Sequence, residues 1–179
     1  MNDLAQIDKL DGDFNLAIEQ QVATLGSLLE DLKTRIVTAE SCTGGWLSAA
    51  LTSVAGSSKW FGTGVCTYAN SAKVQILGVS EQMLVAHGAV SKEVVQAMAS
   101  GALRLDPGAV ISVAISGVAG PGQSAAHSAG TVYMAWMLRG QQARIQKFIF
   151  DGTRNEVRLS SIKVALRGAI QDIEALMGT

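Results

Sequence analysis

The chain has 179 residues, 48% of them hydrophobic, enough for one well-packed domain and short for two. Its 14 Lys and Arg against 15 Asp and Glu leave a net charge of -1, so nothing in the charge balance favours nucleic acid or an anionic membrane as a partner. Two cysteines, Cys42 and Cys66, make neither a disulfide framework nor a C-x-x-C metal spacing, so a reduced, cytoplasmic setting is expected.

Residues 1–12 read as a polar leader of mixed charge, with the features of neither a signal peptide nor a membrane anchor, and 13–179 as a single domain. From Asp13, placed near a cap, Leu16, Ile18, Val22, Leu25, Leu28, Leu29 and Leu32 recur at mostly helical spacing. RIVTA is then a short buried strand, and TGGWLSAALTSVAG a second helix stopped by Gly56. GTGVCTYA has the β-branched and aromatic content of a strand. NSAKVQILG reads as a helix capped by Asn70 and ended by Gly78. SEQMLVAHG repeats the pattern with Ser80 and Gly88, and SKEVVQAMASGALRL opens a longer helix at Ser91. AVISVAIS is apolar on both faces, as a central strand is. GVAGPGQSAAHSAG is a small-residue loop, TVYMAWML and ARIQKFIF a hairpin about RGQQ, and the segment from Thr153 a closing helix. Helices alternating with strands, plus one antiparallel pair, predict an α/β fold: a three-layer α/β/α sandwich on a mixed sheet.

Within that fold, Ser41 follows a strand at the carboxyl edge of the sheet, where ligands bind in open α/β proteins. The amides of Cys42, Thr43, Gly44 and Gly45 are expected in the first turn of the next helix, able to hold phosphate or an oxyanion. An ordinary cap with glycines for close packing explains this segment equally well. The Walker A spacing is absent.

With Asn70 as cap, Lys73 is the third helical residue, where the helix dipole opposes a cation. Dipole and burial together favour a neutral amine there, able to act as a base towards a serine hydroxyl. Tyr68, at the end of the preceding strand, can donate to that amine or relay a proton. A surface lysine and an interface tyrosine are the bland alternatives. SGVAGPG, from Ser116, leaves the central strand at the same edge and can form either an anion nest or a plain turn. Arg154, at the start of the last helix, suits a phosphate or solvent equally, as does Arg158 one turn on. Cys42 rivals Ser41, since a thiol at a helix start is acidified. Its imidazole partner would be His87, at a helix end, or His127, in the loop. No metal and no cofactor are expected, because no Asp, Glu or His cluster has ligand spacing.

TAESCTGGW, AGSSKWF, TYANSAK, LGV, HGAVS, AISGVAGP and GTV occur in the order found in the CinA C-terminal domain family, which the chain resembles over nearly its whole length beyond the leader. The resemblance implies a three-layer α/β/α fold and hydrolysis of the carboxamide of nicotinamide mononucleotide (NMN), giving the acid mononucleotide and ammonia. It implies Ser41 as nucleophile, Lys73 as general base and Tyr68 as their partner. Cys42, Thr43, Gly44, Gly45, Asn70, Ser116, Gly117, Ala119, Gly120 and Arg154 would surround the nucleotide. The implied partners are a small pyridine mononucleotide and a second copy of the chain in a homodimer, with neither nucleic acid nor membrane. One departure stands out: where active relatives carry KPVGTV, this chain has Ser128 and Ala129 after His127 in HSAGTV. The alternatives are a nucleotide-binding module without turnover and an amidase for another carboxamide.

Overall fold

The computed structural model describes residues 12–122 and 126–178. Residues 1–11 of the expected leader, and part of the small-residue loop, lie outside the described residues. Six helices and five strands follow in the order α1 (Gly12–Asp31), β1 (Arg35–Glu40), α2 (Trp46–Thr52), β2 (Phe61–Cys66), α3 (Asn70–Leu77), α4 (Glu81–His87), α5 (Lys92–Leu105), β3 (Ala109–Gly117), β4 (Thr131–Leu138), β5 (Arg144–Ile149) and α6 (Arg154–Met177). A 3₁₀ turn at Ser57–Lys59 precedes β2.

The strands form one mixed sheet in the order β2-β1-β3-β4-β5. β1 is parallel to both β2 and β3, whereas β3–β4 and β4–β5 are antiparallel. β1 and β3 are buried almost throughout, which is why their sequences are apolar on both faces. Two apolar layers flank the sheet. One joins Val22, Leu25 and Leu29 of α1 and Leu47 of α2 to Ala165, Leu166 and Ile173 of α6. The other joins Leu77 of α3 to Val94, Val95, Met98 and Ala102 of α5. The expected three-layer sandwich is the observed one. Among the described residues no helix is long and apolar enough to cross a membrane.

Local chemistry explains most boundaries. Ser80 accepts from the Met83 amide (3.1 Å) and Ser91 from the Val94 amide (3.3 Å), so both expected caps form. Thr153 and Glu156 make a reciprocal capping box at the start of α6. Four boundaries near the site differ from expectation. α2 ends at Thr52, with Ser53 as its C-cap, and does not run on to Gly56. α2 begins at Trp46 and not at Thr43, because Gly44 and Gly45 adopt left-handed φ of 62° and 93° and turn the chain before it coils. β2 ends at Cys66, since Thr67 and Tyr68 leave the sheet. The cap of α3 is Ala69 and not Asn70: no side chain caps it, and the Lys73 amide donates to the Ala69 carbonyl at 3.3 Å. Lys73 is therefore the fourth helical residue, already bonded within the helix, and the dipole argument for its placement gives way to burial.

Candidate active site

The parallel strands β1, β2 and β3 end together, and a cavity of about 270 Å³ opens beyond them. Ser41 and Cys42 enter it from the end of β1; Tyr68, Asn70 and Lys73 enter from the β2–α3 connection. The loop after β3 supplies Ser116, Gly117, Ala119 and Gly120, and α6 supplies Arg154. Thr43, Gly44 and Gly45 are not part of its wall. Ala89, Val90, Val118 and Pro121 are; the first two had no assigned role, and the last two belong to the SGVAGPG segment offered as an anion nest. The HGAVS string is the one signal that could have marked the first two.

Lys73 is 1% exposed, rare for a lysine. Its Nζ donates to the carbonyls of Thr67 (2.7 Å) and Tyr68 (3.2 Å) and lies 3.1 Å from Ser41 Oγ. The departure of residues 67 and 68 from the sheet is what turns these two carbonyls towards the amine. Burial holds the lysine below its ordinary pKa, against the opposing pull of the Cys42 and Cys66 thiols. Two N–H donors matched by two carbonyls satisfy a neutral amine, and its lone pair is then left to accept from Ser41.

The turn that carries Ser41 is held from several directions. Its amide donates to Ile115 O (3.0 Å) and its carbonyl accepts from the Gly44 amide (3.1 Å). The Glu40 carboxylate, wholly buried, accepts from the amides of Gly45 (3.1 Å), Leu47 (3.0 Å) and Ser48 (2.9 Å) and from Ser48 Oγ (2.7 Å). The expected anion-binding amides of Gly44 and Gly45 are thus already occupied, the first by the Ser41 carbonyl and the second by a protein carboxylate at the start of α2. Among the described residues neither the Cys42 nor the Thr43 amide donates to another residue, and of the two only Cys42 lines the cavity. From α6, Arg158 donates twice to the Thr43 carbonyl (2.8 and 3.3 Å) and stacks 3.5 Å over the Trp46 ring. Sequence reading assigned Glu40 no role; its place in the TAES string, ahead of two glycines, was the available signal.

Tyr68 reaches Lys73 through its carbonyl. Its ring is exposed, and its hydroxyl accepts from Arg154 Nη2 at 2.8 Å. Arg154 Nη1 donates to Gly120 O (2.8 Å), so this guanidinium ties α6 to two loops at the cavity mouth. Ser116 Oγ donates to Ala89 O at 2.7 Å. Cys42 is buried, and burial pushes its thiol up to about 11, the opposite of an activated cysteine. His87 faces Glu93 (3.8 Å) and His127 packs edge-on against Tyr133, neither beside that thiol. Among the described residues no three His, Cys, Asp or Glu side chains gather as a metal site.

Comparison with known proteins gives this geometry a family. The model of the CinA C-terminal domain matches residues 18–173. A nicotinamide-nucleotide amidohydrolase, PncC, of Pseudomonas putida is 46% identical over 150 residues, 82% of this chain and 91% of that protein. The PncC of Escherichia coli K12 is 43% identical over 144 residues, covering 80% and 87%. A CinA superfamily protein from Klebsiella pneumoniae superposes with a TM-score of 0.84 at 36% identity, covering 88% of this chain and 98% of that one. With a family model spanning both core layers, and relatives this similar over most of their length, the chain belongs to the CinA C-terminal domain family.

Proposed function

We propose that this protein is an amidohydrolase that converts NMN to nicotinic acid mononucleotide and ammonia through a seryl ester on Ser41. The observation that carries the proposal is the 3.1 Å approach of Lys73 Nζ to Ser41 Oγ inside the cavity, under burial that favours the free amine. The names of the Pseudomonas putida and Escherichia coli relatives support the substrate.

Ser41 Oγ attacks the carboxamide carbon while its proton passes to Lys73 Nζ. The amide of Cys42, the residue after Ser41 in the cavity wall, receives the negative charge that develops on the carboxamide oxygen. Collapse breaks the C–N bond as Lys73 returns the proton to nitrogen, and ammonia leaves. Water then attacks the ester, giving one proton to Lys73; the C–Oγ bond breaks, Oγ regains that proton, and the acid departs. Atoms balance with water as the sole co-reactant. The Arg154 guanidinium, joined to the Tyr68 hydroxyl at the mouth, suits the nucleotide phosphate. Asn70, Ser116, Gly117, Ala119 and Gly120 form the remaining wall around the nucleotide.

Purified protein incubated with NMN releases ammonia and the acid nucleotide in equal amounts. Ser41→Ala and Lys73→Met each lower kcat/KM by at least about a thousandfold. Full activity in both variants would overturn the dyad, and loss confined to Cys42→Ala would transfer the role to the thiol. Binding of NMN without ammonia release would make the protein a binding module, the alternative motivated by Ser128 and Ala129 in the altered loop. A homodimer, implied by the family resemblance, belongs to the same proposal; sedimentation equilibrium would then give twice the 18.7 kDa chain mass. Cytoplasmic placement belongs to it too, supported by two cysteines that are both free.

A further inference from the structure

We propose that Glu40 is a positioning residue for the reaction: its carboxylate closes the Ser41-bearing turn into a ring and so holds Ser41 and the Cys42 amide in place at the cavity wall. The ring runs from Glu40 along the backbone to Gly45, whose amide returns to Glu40 Oε2 at 3.1 Å. Ser41, Cys42 and Thr43 lie inside it. The Glu40 backbone is itself anchored, its carbonyl accepting from the Thr67 amide at 2.8 Å. The free side of the ring is gripped by Arg158 through the Thr43 carbonyl at 2.8 Å. A turn fixed at both ends and on its flank leaves little freedom to the Ser41 hydroxyl and the Cys42 amide between them.

Glu40 is no proton carrier. Each of its oxygens accepts from two donors, Oε2 from Gly45 and Leu47, Oε1 from the Ser48 amide and hydroxyl, which fills the lone-pair sites of a carboxylate. It is fully buried and does not line the cavity. A cap for α2 alone would not need it, since a Ser, Asp or Asn beside the helix start does that locally. Here the cap residue is Gly45, with no side chain to offer, and the anion comes from the last residue of β1. The consequence is a division of donors. The Gly45, Leu47 and Ser48 amides at the start of α2 go to a protein carboxylate, and the turn before it keeps the Cys42 amide for the substrate.

Because the role is defined by the Ser41 chemistry proposed above, the test measures NMN turnover in the wild-type chain alongside Glu40→Gln. The substitution keeps the shape but removes the charge, and whichever way its amide turns the NH2 opposes at least one main-chain N–H, so the clamp loosens. The expected result is a fall in kcat of at least about tenfold, within what loss of oxyanion donors costs. KM stays within about threefold, and the pH at which activity rises does not move. Unchanged kcat with only a lowered melting temperature would reduce Glu40 to a structural cap and overturn the proposal. So would an intact plateau kcat with a shifted pH profile, the mark of a purely electrostatic effect. Should Glu40→Gln not fold, Ser48→Ala removes one of the four bonds while keeping the charge. It is expected to lower kcat about threefold at constant KM, and unchanged kcat there overturns the proposal as well. Absence of turnover in the wild-type chain would fail the amidase proposal instead, so the two failures are distinguishable.

Discussion

At the scale of single residues, the proposed chemistry depends on burial that favours the uncharged amine of Lys73. Lys73 has lost nearly all contact with water, and its polar neighbours are two carbonyls and a hydroxyl, with no carboxylate among its hydrogen-bond partners. Those carbonyls accept from either protonation state, so they do not offset the burial that favours the neutral amine. The sign for activity follows directly. A base must be unprotonated, its folded pKa is lowered, and kcat/KM therefore rises with pH through an inflection below the ordinary lysine value of about 10.4. Above it the profile is flat with respect to this group. Rate measurements against NMN across the alkaline range check this, and an inflection at or above the ordinary value would contradict the role. Cys42 shows the same physics with the opposite outcome. Burial raises its thiol to about 11, so the same dry environment that favours the uncharged amine disfavours the thiolate, which counts for Ser41 over its neighbour.

At the scale of elements, the amine is only as well placed as α3, and α3 rests on α5 through a glycine. A Cβ on Gly101 would strike the carbonyl and Cα of Leu77, backbone atoms that cannot swing aside. Two effects of Gly101→Ala compete. Alanine in a helix interior gains about 1 kcal/mol over glycine, whereas overpacking against rigid atoms costs about 1–3 kcal/mol. Since the obstacle is main chain, the clash wins. Leu77 ends the helix one turn beyond Lys73, so relief of the clash also displaces the amine. The expected outcome is a melting midpoint lower by at least about 2 °C together with a reduced kcat, read by thermal denaturation and the NMN assay. An unchanged midpoint would mean that α3 is free to slide. On the other face, Gly168 plays the corresponding part for Trp136, whose indole N–H donates to Ala165 O at 2.8 Å beneath α6.

At the scale of the whole molecule, what was legible in the sequence and what was not divide by distance along the chain. Doubly apolar strands, the Ser80 and Ser91 caps and the Gly78 and Gly88 stops were readable because each is set by neighbours a few residues away, whereas α2 stopped short of the expected Gly56. The Glu40 clamp was not, because its acceptor role exists only once Gly44 and Gly45 have turned the chain. Nor was the bond from Arg158 to Thr43, which spans 115 residues. The same non-local logic operates at the other end of the sheet. There Arg35, opening β1, donates from Nε and Nη2 to Asp106 at 2.7 Å each, and the Gly108 amide adds a third bond at 2.9 Å. Arg139 closes the corner through the carbonyls of Leu103, Asp106 and Ala109. The Arg35 hydrogen bonds hold the Asp106 carboxyl below its ordinary pKa despite burial, helped by the Gly108 amide and by the charges of Arg35 and Arg139. A carboxyl whose folded pKa is depressed stabilises fully above its unfolded value, about 3.9, and loses that contribution as pH falls through the lower folded value. Asp106→Asn therefore unfolds more easily than the wild-type chain by a constant margin from pH 7 down to about 5. Below about 4 the margin closes, as protonation does to the wild type what the substitution has already done. Since 41% of the Arg35 side chain meets solvent, the margin is that of a screened pair, about 1 kcal/mol and smaller in high salt. Urea unfolding at a series of pH values reads it, and a margin that persists undiminished below pH 4 would refute the linkage. NMN turnover at neutral pH stays at the wild-type level, because Asp106 lies at the opposite end of β1 and β3 from Ser41, and the sheet between them is rigid core.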